Sequence, residues 1–210
     1  MCSVIGVYFE QAKKDDLRFL KNVILQSKIR GLHATGLSYV KNNKVYTISE
    51  PVSADKFLDK HDNFNKFVNE DGNLYLIAHC RYSTSDLEDN QPIQISDDLA
   101  IVHNGVITQD APENWLYKTT TKNDSELINL CVLDNKEPLT LYGDASMAGV
   151  ELHADKTIKY YRNGKRPLYK TKLNNGYILT STKNIVKRCN EKLTPCVVLK
   201  KGFSDELQLS

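Results

Sequence analysis

The sequence predicts an α+β fold in which two mainly antiparallel sheets pack together between helices. Three observations predict it. Two near-continuous apolar segments, residues 74–81 and 99–107, are typical of strands that are buried on both faces. Amphipathic helical patterns flank these segments, and from residue 145 onward most segments have the character of strands separated by turns. This order lacks the strict alternation of strands and helices that marks a parallel α/β protein, so a second sheet is expected to cover the doubly buried strands.

The first 72 residues predict a strand, a helix, a hairpin and a second helix. An apolar strand occupies residues 3–10, and apolar side chains recur at helical spacing over residues 15–31. A hairpin is expected around Asn42-Asn43, because two β-rich segments flank this pair. A second helix is expected over residues 53–72. Its expected core side chains are Phe57, Phe64 and Phe67.

The remainder of the chain predicts one further helix and a series of strands. Residues 123–133 have helical character, and either Asn123 or Asp124 is available to cap the helix. The expected strands cover residues 146–154, 157–163, 167–173, 177–183 and 195–201.

Composition and charge favour an ordinary globular protein. Apolar residues make up 40% and charged residues 26% of the 210-residue chain, which is enough to form one domain with a sizeable core. A net charge of +2 without a basic cluster argues against nucleic acid as a partner, and no apolar segment approaches the ~20 residues that a membrane span needs. The five cysteines are widely spaced and contain no C-x-x-C pair, so neither a disulfide framework nor a zinc site is expected and a cytoplasmic location is favoured.

The chain begins MCSVIGV, so that removal of the initiator methionine would make a cysteine the first residue. Cys2 would then carry a thiol and a free α-amine on the same carbon. A thiol with a pKa of ~8.5 needs a base to become a nucleophile, and an α-amine with a pKa of ~7.7–8.0 is suited to accept its proton. On this residue alone, a small apolar side chain in an edge strand is the simpler interpretation.

Three further positions carry groups suited to a small zwitterionic substrate. Asn104-Gly105 ends an apolar strand, and a side-chain amide beside a backbone N–H is a usual donor pair for an oxyanion. Arg81 leaves a buried strand and suits bidentate capture of a carboxylate, while Asp124 suits an ammonium group. Each has an ordinary alternative: an Asn-Gly turn, an arginine at the core edge and a helix cap. The five histidines show no ligand spacing, so we interpret them as structural and expect no metal site.

Six short motifs follow one another along the chain: MCSVIGV at 1–7, RGLHATG at 30–36, AHCRYST at 78–84, NQP at 90–92, VHNG at 102–105 and NDSE at 123–126. In this order they resemble the class II glutamine amidotransferases, whose glutaminase domain belongs to the N-terminal nucleophile hydrolases. The R-Y-S-T and D-S-E patterns are most similar to the glutaminase domain of the amidophosphoribosyltransferases. The resemblance implies a four-layer αββα sandwich.

The resemblance also implies a reaction. Cys2 would attack the side-chain amide carbon of L-glutamine and form a thioester, which water would hydrolyse to release glutamate; no cofactor is expected. Asn104 and the backbone N–H of Gly105 would hold the oxyanion. Arg81 would bind the substrate α-carboxylate and Asp124 its α-ammonium. Further implied contributors to the pocket are Thr84 at the carboxylate end and Arg30 with Gly31 in the wall.

The chain departs from the family pattern in three places. His33 and Ala34 replace the acid and the small hydroxyl residue of the usual R-G-x-D-S-x-G motif. Ser85-Asp86 stands where the family often has a small residue or His followed by Gly. The sequence ends at Ser210, whereas family members usually continue into an acceptor domain. We therefore expect residues 1–210 to form a single glutaminase domain without a synthase domain, passing ammonia to a separate synthase subunit.

Two alternative functions stay open on the sequence. One is a catalytically silent glutamine-binding or regulatory module, which the departures at His33 and in the following loop favour. The other is an amide or peptide hydrolase that uses the same N-terminal cysteine on a different substrate.

Overall fold

The structure, a computed structural model, describes residues 2–83, 89–164 and 166–198, and the backbone of residues 203–206. The strands are β1 (Ser3–Phe9), β2 (Ala34–Lys41), β3 (Lys44–Glu50), β4 (Leu74–Arg81), β5 (Ile93–Ser96), β6 (Leu99–Val106), β7 (Ser146–His153), β8 (Ile158–Arg162), β9 (Tyr169–Leu173), β10 (Gly176–Thr180), β11 (Cys196–Val197) and β12 (Phe203–Glu206). The α-helices are α1 (Lys14–Ser27), α2 (Ala54–Lys60), α3 (Glu126–Leu133), α4 (Pro138–Leu141) and α5 (Lys183–Cys189). Short 3₁₀ helices cover Lys28–Arg30, Phe64–Phe67 and Pro112–Asn114.

These strands form two sheets, in which neighbouring strands are antiparallel. The first has the order β11-β9-β10-β1-β4-β2-β3, and the second has the order β12-β8-β7-β6-β5. The central strand β1 pairs with β10 on one side and β4 on the other. The predicted α+β fold with two antiparallel sheets is confirmed.

Three layers of apolar side chains hold the sheets and helices together. The middle layer lies between the two sheets and includes Val4 from β1 and Val102 from β6. An outer layer joins the first sheet to α1, α2 and α5, and a smaller one joins the second sheet to α3 and α4. The stacking of helix, sheet, sheet and helix matches the expected αββα sandwich, and it explains why β1, β4 and β6 are apolar on both faces.

Several elements agree with the sequence predictions. The hairpin between β2 and β3 turns at Asn42 and Asn43, whose φ angles of 51° and 53° lie in the left-handed region that asparagine tolerates. The second helix is shorter than expected, because it ends at Lys60 and the chain continues into the 3₁₀ helix at Phe64–Phe67. The three phenylalanines that were expected to face the core, Phe57, Phe64 and Phe67, are all buried.

Other predictions were wrong in the C-terminal half. The strand expected over residues 177–183 ends at Thr180, and α5 begins at Lys183. Ile185 and Val186 pack α5 into the outer layer of the first sheet, which the short sequence window did not reveal. Neither Asn123 nor Asp124 caps α3, because the N-cap is Ser125. No helix in the described ranges is long and apolar enough to cross a membrane.

Candidate active site

A cavity of about 390 Å³ opens where the two sheets meet the loop before α3. Four of the sequence-predicted site residues line it: Cys2, Arg81, Gly105 and Asp124. Cys2 precedes β1, Arg81 ends β4, Gly105 lies near the end of β6, and Asp124 comes shortly before α3. The fold therefore brings together four residues that lie as far as 122 positions apart in the sequence.

Strand pairing and alternation explain how these side chains converge. Ser3 pairs with Cys80 between β1 and β4, so the next position along each strand sets Cys2 beside Arg81. Ile77 belongs to the layer between the sheets, whereas Cys80 belongs to the outer layer. Because successive strand residues face opposite sides, Arg81 shares the inner face with Ile77.

Cys2 is held through both its main chain and its side chain. Its carbonyl oxygen accepts a hydrogen bond from Nε of Arg30 at 2.9 Å, and its thiol donates a weak one to the carbonyl of Tyr82 at 3.8 Å. The start of β1 is fixed by the bond from the Val4 N–H to Oγ of Ser181 at 2.8 Å. Met1 lies outside the described residues.

Asn104 and Gly105 have the features of a donor pair. Asn104 is only 4% exposed, and its Nδ2 atom is buried without a hydrogen-bond partner among the described residues. Leaving a buried donor unpaired costs ~1–3 kcal/mol. Asn104 itself is not among the residues that line the cavity, whereas its neighbours His103 and Gly105 are. Gly105 has a φ of 153°, and a Cβ there would lie 2.0 Å from the Ser146 carbonyl oxygen. Only glycine fits this position.

Arg81 is oriented by the loop that follows it. Its Nη1 atom donates to the carbonyl oxygen of Asp89 and to Oδ1 of Asn90, both at 2.9 Å. Asp89 also ties this loop to the segment before α3, because its carboxylate accepts the N–H of Lys122 and its carbonyl accepts Nδ2 of Asn123, again at 2.9 Å. One residue thus links Arg81 to the segment that carries Asp124.

The Asp124 carboxylate is bound to the main chain of the loop after β6. Its Oδ2 atom accepts the N–H of Ile107 at 2.6 Å. Burial raises the pKa of Asp124, and the backbone N–H groups of Ile107, Thr108 and Ser125 oppose that rise. These bonds hold an anionic group at the cavity, and the helix-capping role considered for this residue is not observed.

The remaining three predicted site residues differ in their placement. Arg30 lines a neighbouring cavity and meets the site through the Cys2 carbonyl. Gly31 packs against the main chain of β4, where a Cβ would lie only 2.3 Å from the Cys80 carbonyl oxygen. Thr84 lies outside the described residues, as does the Ser85-Asp86 pair.

The unusual His33 has a structural contact of its own. Its Nδ1 atom accepts the N–H of Ser83 at 2.9 Å, and its ring lies 4.9 Å from that of Tyr82. Its own N–H donates to the Arg81 carbonyl at 3.0 Å. His33 therefore supports the main chain on either side of Tyr82, directly after Arg81.

Sequence reasoning missed two histidines in the cavity. His79 and His103 both line it, and burial lowers the pKa of each from 6.5 to about 3, so both are neutral at pH 7. Nδ1 of His103 and Nε2 of Gln91 share Oγ of Ser125 at 2.9 and 3.0 Å, whereas neither ring nitrogen of His79 has a hydrogen bond of normal geometry within the described ranges. The alternation that placed Arg81 on the inner face could have revealed His79, two residues earlier on the same strand.

The described residues contain no group of three or more His, Cys, Asp or Glu side chains arranged to hold a metal ion. The polar groups that line the cavity include the Cys2 thiol, the Arg81 guanidinium and the Asp124 carboxylate.

The fold of this chain is shared with two solved enzymes. The B. subtilis glutamine phosphoribosylpyrophosphate amidotransferase, solved with ADP and GMP, superposes with a TM-score of 0.76 at 16% identity, covering 98% of this chain and 47% of that one. A structure described as the allosteric regulatory enzyme of purine biosynthesis gives the same TM-score at 15% identity, with 98% and 46% covered. These likenesses establish the fold.

Two curated sequence relatives are named as glutamine-dependent aminotransferases. The glutamine–fructose-6-phosphate aminotransferase (isomerizing) of Wigglesworthia glossinidia brevipalpis is 27% identical over 137 residues, and that of Clostridium perfringens (strain 13 / Type A) is 27% identical over 140. Each match covers 61% of this chain and 21% of the relative, so the chain matches about a fifth of their length. No protein-family model matches the chain. The resemblance to class II glutamine amidotransferases, enzymes with an N-terminal cysteine nucleophile, is confirmed.

Proposed function

We propose that this chain hydrolyses the side-chain amide of L-glutamine to glutamate and ammonia through a thioester on Cys2. The observation that carries the proposal is the convergence of Cys2, Arg81, Gly105 and Asp124 on one cavity of about 390 Å³. An amino acid with a charged carboxylate and a charged ammonium needs one fixed cation and one fixed anion, and this cavity offers both. Specificity follows because another ligand would leave one of these groups unpaired.

The reaction proceeds in two balanced steps. Once Met1 is removed, the α-amine of Cys2 accepts the thiol proton and the sulfur adds to the amide carbon. Nδ2 of Asn104 and the N–H of Gly105 stabilise the oxyanion. The C–N bond then breaks, the departing nitrogen takes up the proton and leaves as ammonia, and a C–S bond remains. Water adds to this thioester, so that glutamate leaves and the thiol is restored.

The remaining predicted residues position the substrate and the nucleophile. Arg81 binds the α-carboxylate, with Thr84 assisting, and Asp124 binds the α-ammonium. Arg30 and Gly31 act behind the nucleophile: Arg30 fixes the Cys2 carbonyl, and Gly31 allows the close approach to β4. Hydrogen bonds already hold the Arg81 and Asp124 side chains in place. This supports the assignment, because charged groups that are held in advance lose little conformational freedom when the substrate binds.

Ammonia from this reaction is proposed to pass to a synthase that is either a separate subunit or a fused domain. Two observations on the relatives support this step. They are named as aminotransferases, and the region matched by this chain is about a fifth of their length.

The test is a glutamate-release assay on the wild type and Cys2→Ala, with the intact mass confirming removal of Met1. We expect release by the wild type and none above background by Cys2→Ala. The matched control is Cys196→Ala, because Cys196 is an exposed free cysteine outside the cavity. Equal release by Cys2→Ala would contradict the proposal.

Two further measurements separate the alternatives. Faster hydrolysis of asparagine or a dipeptide than of glutamine would indicate an amide or peptide hydrolase with the same nucleophile. Saturable glutamine binding without release, and without labelling of Cys2 by a glutamine-like diazo-ketone, would indicate a silent binding module.

A further inference from the structure

A second cavity, of about 400 Å³, adjoins Cys2, because its lining residues Arg30 and Tyr82 both form hydrogen bonds with Cys2. It is bounded by the 3₁₀ helix after α1, by the end of β4 and by α5. Its volume falls within the ~300–1,000 Å³ that is usual for small-molecule sites. The catalytic mechanism proposed above leaves this cavity without a role.

The lining of this second cavity combines cationic and apolar side chains. Arg30 and Arg188 contribute guanidinium groups, and Asn184 contributes an amide; no carboxylate is among its described lining residues. Ile29 and Tyr82 form the apolar wall and are 61% and 50% exposed. This combination suits a small organic anion with a ring or apolar body, since guanidinium groups bind carboxylates and phosphates in bidentate fashion.

Among the described residues, a further cation lies near the cavity. Burial lowers the pKa of Arg30, and the charge of Arg166 lowers it further, which indicates a second cation nearby. Nε of Arg166 is buried without a hydrogen-bond partner within the described part of the chain. Lys28, which lines an adjoining pocket together with Ile29 and Arg188, is paired with Asp55 at 3.2 Å. Arg188, at the exposed mouth, has no ion pair among the described residues.

Two lining residues connect this cavity to the nucleophile. Arg30 donates from Nε to the Cys2 carbonyl at 2.9 Å, and the Tyr82 carbonyl accepts the Cys2 thiol at 3.8 Å. Tyr82 also directly follows Arg81, the proposed carboxylate clamp. A ligand that engages Arg30 and covers Tyr82 therefore contacts the two groups that hold Cys2 in place.

We propose that this second cavity is an effector site for a small organic anion, whose charged group bridges Arg30 and Arg188 and whose apolar body lies against Tyr82 and Ile29. Bound anion draws the Arg30 guanidinium away from the Cys2 carbonyl and slows the glutaminase. The regulatory part of this proposal rests on the proposed function, whereas the binding part does not.

The experiment measures binding of phenyl phosphate by calorimetry, with inorganic phosphate and phenol as partial probes. Phenyl phosphate should bind saturably to the wild type and to Cys2→Ala, inorganic phosphate more weakly, and phenol not at all. Arg188→Gln should weaken the binding of phenyl phosphate by about tenfold or more, because a charge-assisted hydrogen bond is lost. The matched control is Lys183→Gln, an exposed cation of α5 outside the cavity, which should bind like the wild type.

The rate measurement then tests the coupling. Phenyl phosphate should lower kcat of the wild type without raising KM for glutamine, and Arg188→Gln should keep its basal rate and lose the response. Competition with glutamine would assign the anion to Arg81 and overturn the proposal. Absence of saturable binding, or equal binding by Arg188→Gln, would also overturn it. An acidic protein segment would then be the alternative occupant of the second cavity. Binding by a chain without glutaminase activity would contradict the proposed function alone.

Discussion

Nη1 of Arg81 lies 2.9 Å from the carbonyl oxygen of Asp89, and the Asp89 carboxylate in turn accepts the Lys122 N–H. This single residue therefore orients the proposed carboxylate clamp and anchors the segment that carries Asp124. Asp89 itself does not line the cavity.

Asp89→Ala should raise KM for glutamine by about five- to tenfold with little change in kcat, because it loosens the segment beside the clamp and leaves the nucleophile untouched. Steady-state kinetics measure this split. Asp97→Ala is the control, since Asp97 is exposed and pairs with Lys44 on another surface. A fall in kcat at constant KM would contradict the proposed positioning role.

Arg81→Lys and Asp124→Asn should each raise KM for glutamine by roughly one to three orders of magnitude. The first keeps the charge and loses the planar bidentate group, and the second loses the anion that pairs with the α-ammonium. Free glutamine should lose its advantage over N-acylated glutamine in Asp124→Asn, because the acylated substrate has no ammonium group for Asp124 to bind. Unchanged KM values in both variants would show that the zwitterion is recognised elsewhere.

Asn104→Ala should lower kcat by about 10²–10³-fold, as expected when one oxyanion donor is removed. Its free energy of unfolding should change by no more than about 1 kcal/mol, because Nδ2 of Asn104 has no partner to lose among the described residues. Kinetics and chemical denaturation on the same preparation give both values. A large loss of stability with normal kcat would assign Asn104 a structural role.

The buried histidines should make stability depend on pH. The pKa values of His79 and His103 are lowered from 6.5 to about 3, so the unfolded chain binds protons at these sites well before the folded one does. Their contribution to stability is complete above pH 6.5 and is lost as the pH falls toward 3. Each histidine adds up to about 1.4 kcal/mol per pH unit to the slope of the free energy of unfolding against pH.

Denaturant unfolding at several pH values between 7 and 4 measures that slope. His79→Leu should remove about half of the slope that the two histidines together contribute. A slope that is identical in the variant and the wild type would contradict the assignment of His79 as a buried neutral group.

The sequence predicted the parts of the fold that follow from local patterns. Apolar segments that were too continuous for a one-sided strand identified β4 and β6, and the Asn42-Asn43 turn identified the hairpin. The helix α5 was missed because only two of its seven residues, Ile185 and Val186, are buried, and two apolar positions are too few to show a helical period.

The site was predictable as a set of residues and not as a geometry. Cys2, Arg81, Gly105 and Asp124 were recognised from short motifs, and the cavity contains them all. The role of Asp89 could not be predicted, because it depends on two loops meeting in space. The histidines were interpreted as structural from their spacing along the chain, which says nothing about Ser125 or Gln91 lying beside His103.

The most direct test of the account is peptide mapping of Cys2 after exposure to a glutamine-like diazo-ketone, on matched preparations with and without Met1. The account predicts a covalent adduct on the Cys2 thiol in the processed chain, prevented by excess glutamine, and none when Met1 ties the α-amine into a peptide bond. Equal labelling of both preparations would contradict the α-amine as base, and labelling confined to other cysteines would contradict Cys2 as the nucleophile.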